Sequence, residues 1–163
     1  EFLDYNPSTG IFTWVKRPAA RVAVGSVAGT VNKTGYINIF ICKKSFLAHR
    51  LAWLFHYGEF PDSCLDHINR DRTDNRISNL RKATQEQNTW NSSLRKAKTS
   101  KYHGVALHSF KADGSPSWSA YYSKGKHKFH IGQFGTEYEA AIARESVVLA
   151  EHGDFATLNF PSS

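Results

Sequence analysis

The sequence predicts an α+β protein in two parts, and three observations point there. Apolar residues recur with the two-residue period of strands and, over a few stretches, with the three-to-four-residue spacing of helices. Residues 92–100 are rich in Ser, Lys and Thr, hold almost no apolar side chain, and separate two patterned regions. The 163 residues are 40% hydrophobic and 13% aromatic, enough for modest folded cores and too much for a disordered chain. The expected boundaries are a first domain at 1–94, a linker at 95–100 and a second domain at 101–163.

The first 44 residues read as short strands broken by turns. Pro7 to Gly10 form a turn before a strand at 11–15, and Gly25, Gly29 and Gly35 punctuate strands around 22–30 and 36–41. Lys43 and Lys44 fit a hairpin turn whose second strand begins near Phe46. The period then changes. Leu47, Leu51, Leu54 and Phe55 recur at helical spacing and Gly58 with Pro61 ends the run, so a helix is expected over 48–57. Its Leu51, Leu54 and Phe55 are expected beneath the hairpin that follows.

That hairpin starts from the apolar pair Cys64 and Leu65, which leads into Asp66 and His67. Asp71, Asp74 and Asn75 are turn formers in a polar loop, and with Asn69 they are read as structural. A second strand is expected over 80–83. Thr84 is placed as the N-cap of a helix over 85–94, with Gln87 as its capping-box partner. Beyond the linker, strands are expected at 105–110, 118–122 and 128–134, followed by a helix over 136–151 that Thr136 and Glu139 cap. Ala140, Ala141, Ala143, Val147, Val148 and Ala150 give that helix a small-residue stripe for packing on a three-stranded antiparallel sheet.

The net charge is +7 and the pI is near 9.5, which favours a polyanionic partner. Within the second part the charge is uneven: +7 from Arg95 to Lys128 and −4 from Phe129 to Ser163. The sheet is therefore the expected basic side and the helix the acidic one. Cys42 and Cys64 form no CxxC pair, so a zinc knuckle is not indicated; they read as buried small residues in a reducing compartment, or as one disulfide. No apolar run is long enough to cross a membrane and nothing resembles a signal peptide, so an intracellular protein is expected.

Asp66, His67, Asn79 and Asn88 have the layout of a phosphodiester-cutting centre. Such a centre needs a base to take a proton from water and a divalent cation to offset charge on the phosphate and the leaving oxygen. One geometric condition applies. Adjacent strand residues point to opposite faces, so Asp66 and His67 share a site only if the strand ends or distorts there.

The run DHxNxDxxDNRxxNLRxATxxxN resembles the HNH endonucleases, specifically the phage and intron-encoded homing variant in which asparagine replaces the final histidine. The resemblance implies a ββα-metal fold, with His67 as general base and Asn79 bracing the loop beneath it. It also implies Asp66 and Asn88 as ligands of one magnesium or manganese ion. An asparagine at 88 favours a hard, oxygen-preferring ion over zinc. The β-rich segment upstream and the AHRLAW run at 48–53 extend the resemblance; His49 there reads as structural, and Arg50 as a phosphate contact or supporting ion pair. Arg81 joins it as a DNA-contacting candidate.

The segments SKYHGV, Trp118 with Ala120, HIGQFGTEYEAAIAR and HGDFATLNF resemble the Apetala-two/ethylene-response-factor DNA-binding domain. That resemblance implies a sheet laid in the major groove of double-stranded DNA. Carried over by position, the DNA-binding candidates are Lys101, His103, His108, Trp118, Tyr122, Lys126, Lys128 and His130. Plant members carry several arginines where this chain has His103, Leu107 and His108, so a target sequence does not carry over.

The expectation is thus a homing-type DNA endonuclease, monomer or homodimer, with an N-terminal cutter and a C-terminal reader. Two other classes stay open: a non-cutting DNA-binding regulator, and a structure-selective or RNA-directed nuclease.

Overall fold

The computed structural model describes residues 2–91, 99–125 and 127–160. It divides into two compact units, Glu1–Thr84 and Gln85–Ser163. The division falls ten residues before the expected end of the first domain because helix α2 (Gln85–Trp90) packs on the second unit's sheet and on its last 3-10 turn. Most of the expected linker, the last turn of the expected 85–94 helix, and Lys126 lie outside the described residues.

In the first unit, β1 (Leu3–Asn6) and β2 (Ile11–Trp14) form an antiparallel hairpin. Asn6 Oδ1 accepts the backbone N–H groups of Ser8 and Thr9 in the turn between them. Gly10 closes that turn at φ +73°, and a Cβ there would lie 2.4 Å from the Arg76 nitrogen and 2.6 Å from the Asn75 carbonyl carbon. Gly10→Ala combines a left-handed alanine with a backbone clash, so a loss of about 2–4 kcal/mol is expected in urea denaturation. An unchanged midpoint would show that the 75–76 backbone yields freely.

The strand expected over 22–30 is mostly absent. Gly25 and Gly29 have positive φ and bend the chain alongside β2, where the Trp14 N–H donates to the Ser26 carbonyl and the Ala28 N–H to the Phe12 carbonyl. Only β3 (Thr30–Val31) pairs with β4 (Ile37–Ile41), which pairs in turn with β5 (Lys44–Leu47). The β4–β5 turn is Cys42 and Lys43, one residue earlier than expected, so Cys42 is exposed and not buried, while Cys64 is half-buried.

Helix α1 covers Ala48–Tyr57 as expected and stops at left-handed Gly58, whose N–H donates to the Leu54 carbonyl. Strands β6 (Cys64–His67) and β7 (Leu80–Ala83) pair antiparallel, and a 3-10 turn at Ile77–Asn79, not anticipated, leads into β7. Leu51 of α1 shares one core with Phe12, Ile39, Leu65 and Leu80, and Leu54 and Phe55 pack against it. Phe12 is stacked on Tyr5 at 4.6 Å and meets the Phe55 ring edge-on at 5.4 Å.

In the second unit, β8 (Val105–Phe110), β9 (Pro116–Lys124) and β10 (His127–Phe134) form an antiparallel sheet in the order β10-β9-β8. Helix α3 (Glu137–His152) covers one face, and Thr136 and Glu139 form the expected capping box. Val105, Ala120, Ala140 and Ala141 centre this core. The stripe differs from expectation in its second half, where Ala150 is exposed while Arg144, Glu145 and His152 are buried. The reason is the chain end folding back. Arg144 Nη1 donates to the Thr157 carbonyl, and the Glu145 carboxylate accepts the N–H groups of Asn159 and Phe160. No described helix is long and apolar enough to cross a membrane.

Candidate active site

β6 places Asp66 and His67 side by side at its end, 3% and 4% exposed. The strand is regular, so the two leave it on opposite faces. Asp66 faces Arg81, its direct cross-strand neighbour, while His67 pairs with Leu80. Arg81 Nε and Nη2 both donate to Asp66 Oδ2, at 2.9 and 2.8 Å. The strand ends at His67, and Arg70, at φ +65°, turns the loop back, its N–H donating to the His67 carbonyl.

Asn79 ties the loop together from beneath. Its Oδ1 accepts the Asn69 N–H at 3.0 Å, and its Nδ2 donates to Asn69 Oδ1 at 2.9 Å and to the Asp74 carbonyl at 2.8 Å. The Ile68 N–H donates to the Asn79 carbonyl. Asp74 also accepts from Arg76 and Asn69, and the Arg76 hydrogen bonds hold its carboxyl at about 2. These bonds give a long polar loop one conformation.

The ring of His67 is set by Asn75, a residue read from sequence only as a turn former. Asn75 is 1% exposed. Its Nδ2 donates to the Thr73 carbonyl at 3.1 Å, which leaves Oδ1 facing His67 Nε2 at 3.3 Å. An amide oxygen accepts only, so this contact favours the tautomer with the hydrogen on Nε2 and Nδ1 as the basic nitrogen. Tyr5 donates its hydroxyl to the Asn75 carbonyl at 2.8 Å, and burial pushes that phenol up to about 12, so it remains a donor. Burial also holds the His67 ring below the ordinary histidine pKa, against the pull of Asn75 and of the Asp66, Asp74 and Asp71 carboxylates. A neutral, oriented imidazole suits a proton acceptor.

Two further aromatic residues wall this ring. His49 meets it edge-on at 5.1 Å and Tyr36 lies 5.8 Å away, with the Arg72 guanidinium 4.9 Å over the Tyr36 ring. His49 is 6% exposed, and burial, then the charges of His67 and Arg50, lower its pKa to about 3. The unfolded chain therefore takes up a proton near pH 6.5 that the folded chain refuses, so His49 costs stability as pH falls from about 6.5 toward 3. About 2 kcal/mol is expected to be lost by pH 5. His49→Phe keeps a ring there and is expected to flatten the fall in urea midpoint between pH 7.5 and 5; an unaltered fall assigns the acid sensitivity elsewhere.

Several expected DNA contacts are placed differently. Arg50 is turned inward, Nη2 donating to the Pro61 carbonyl at 3.0 Å and Nη1 to that of Ser63 at 3.5 Å, so it holds the approach to β6. Arg81 is engaged with Asp66. In the second unit Trp118 packs in the core under α3, and Tyr122 stacks on Phe129 at 5.1 Å and lies 6.3 Å from His152 of α3. Both lie on the helix-covered side of β9, because its alternation puts Tyr121 on the open side. There Lys128 Nζ lies 3.8 Å over the Tyr121 ring, with His130 at 5.1 Å from it. His108 is exposed at a bulge in β8, Lys101 is exposed beside Tyr102, and His103 is half-buried with its N–H bonded to Asn159 Oδ1.

Asn88, the second expected metal ligand, is half-buried on α2 and belongs to the second unit. Among the described residues no three His, Cys, Asp or Glu side chains gather to hold a metal ion. Asp66 carries a carboxylate and Asn88 an amide oxygen, donor types that fit magnesium or manganese and not zinc.

Asp66 and His67 end one strand of a two-stranded hairpin that a cross-braced polar loop follows, and the buried, oriented imidazole is suited to accepting a proton. In comparison with known families, residues 46–89 match a family model described as HNH endonuclease. The match runs from β5 through α1 and the hairpin into α2 and includes Asp66, His67, Asn79 and Asn88. No curated protein matches the chain.

Proposed function

We propose that the chain is a DNA endonuclease hydrolysing phosphodiester bonds, with His67 as general base. The observation that carries this reading is the buried Asn75 amide, whose Nδ2 is held by the Thr73 carbonyl and whose Oδ1 faces His67 Nε2, an arrangement that favours Nδ1 as the acceptor. Nδ1 takes the proton of a water that attacks phosphorus, leaving a 5′ phosphate and a 3′ hydroxyl. Asp66 and Asn88 would hold a magnesium or manganese ion, which supplies stabilisation of charge on the phosphate and the departing oxygen. Asn88 enters on sequence spacing alone. Asn79 keeps the loop in register under the base, and Arg81 orients the Asp66 carboxylate.

In this reading the protein is of the homing type, and the second unit reads DNA through the open face of its sheet in the manner of an Apetala-two-like domain. Exposed Lys128 and His130 flanking Tyr121, together with the excess of positive charge from Arg95 to Lys128, support it. The test is incubation of supercoiled plasmid with the full chain and magnesium, with and without EDTA. Nicked or linear product in magnesium alone is expected. Intact plasmid together with retained DNA binding identifies a non-cutting regulator instead.

A further inference from the structure

We infer that the first unit also grips the phosphate backbone of duplex DNA away from the candidate active site, in a groove between residues 14–27 and the outer face of β3, β4 and β5. The groove has a volume of about 990 Å³ and lies almost wholly before the residues that match the HNH family. Arg21 lies on one wall, Phe40 on the other, and Lys43 on the hairpin turn that also lines it.

Charge is the first argument. From Tyr5 to Gly58 the chain holds seven Lys and Arg residues and no Asp or Glu. Arg50 is turned inward to the Pro61 and Ser63 carbonyls. The other six, Lys16, Arg17, Arg21, Lys33, Lys43 and Lys44, make no ion pair among the described residues. Such a set repels itself, and the counterpart that suits it is a polyanion.

The walls are the second argument. Phe40 is 65% exposed on the groove face of β4, opposite Ser45 of β5. Asn38 Nδ2 donates to Ser45 Oγ at 3.1 Å, so two polar side chains are already fixed beside it. An exposed ring with oriented polar groups and flanking cations matches the deoxyribose edge and phosphates of one DNA strand.

The turn is the third. Cys42 and Lys43 have φ values of 51° and 63°, the left-handed pair of a two-residue hairpin turn, where Asn-Gly is the least strained choice. A lysine is kept at the groove in a conformation unfavourable to it.

This inference rests on the reading of the chain as acting on DNA, and the test separates the two. The wild-type chain and its variants are titrated with duplex DNA in EDTA over a range of salt concentrations. Arg21→Ala and Lys43→Asn are each expected to weaken binding severalfold. Together they are expected to flatten the slope of log affinity against log salt by about 2, one lost phosphate contact each. Phe40→Ala is expected to weaken binding with the slope unchanged. Cys42→Asn with Lys43→Gly is expected to raise thermal stability while lowering affinity. Lys33→Ala, on the β3–β4 turn outside the groove, sets the effect of general charge loss. If neither Arg21→Ala nor Lys43→Asn weakens binding more than Lys33→Ala does, the groove is not a DNA contact, and the nuclease reading stands. A wild-type chain that binds no duplex overturns both.

Discussion

His67→Ala is expected to lower magnesium-dependent plasmid cleavage by about 10²–10⁴-fold, the usual contribution of a positioned general base, while duplex binding in EDTA is retained. The ring is almost wholly enclosed, burial lowers its pKa, and the Asn75 amide oxygen favours the hydrogen on Nε2. Removing it takes away the acceptor without taking away any surface cation that contacts phosphate. Asn75→Ala is expected to act on the same step more weakly. It frees the ring to flip its tautomer, so the rate falls and the pH profile shifts while KM for DNA holds. Undiminished cleavage by His67→Ala removes this histidine from the chemistry. A normal pH profile for Asn75→Ala would mean that the asparagine only supports the loop.

Arg81→Met is expected to destabilise the first unit by about 2–3 kcal/mol, through loss of two charge-assisted hydrogen bonds to a buried carboxylate. The Asp66 side chain is 4% exposed and that of Arg81 18%, so water cannot replace the two hydrogen bonds Arg81 makes to Oδ2. Methionine keeps most of the aliphatic volume, which isolates the electrostatic contribution. Asp66→Ala added to Arg81→Met is expected to restore much of the stability, since neither charge then remains, while cleavage stays lost with the metal-binding carboxylate. Urea denaturation of the three proteins decides it. If Arg81→Met alone unfolds at the wild-type midpoint, Asp66 is satisfied by other groups and Arg81 is free to serve DNA as first expected.

Much of the fold was legible because it follows local rules. The 48–57 helix, the 80–83 and 105–110 strands and the Thr136–Glu139 capping box depend on periodicity and on residues within one turn of each other. The 22–30 strand failed because two glycines with positive φ outweigh a run of valines and alanines whose pairing partner is β2. Which side of β9 the helix covers is not written in the sequence; one residue of alternation separates Trp118 and Tyr122 on the helix side from Tyr121 on the open side. Buried Arg144 and Glu145 were invisible in a helix pattern because their partners are backbone groups of residues 157–160.

The sequence by itself determined which side chains were candidates: the DH pair, the spaced asparagines and the basic charge can be read without coordinates, because residue type sets what chemistry is possible. Tertiary structure alone decided how they are used. Asn75 lies eight residues from His67 and seventy from Tyr5, yet it joins them, and Arg81 reaches Asp66 across a strand pair. Hydrogen bonds and burial are set by distance in space, and no local pattern encodes which distant groups will meet.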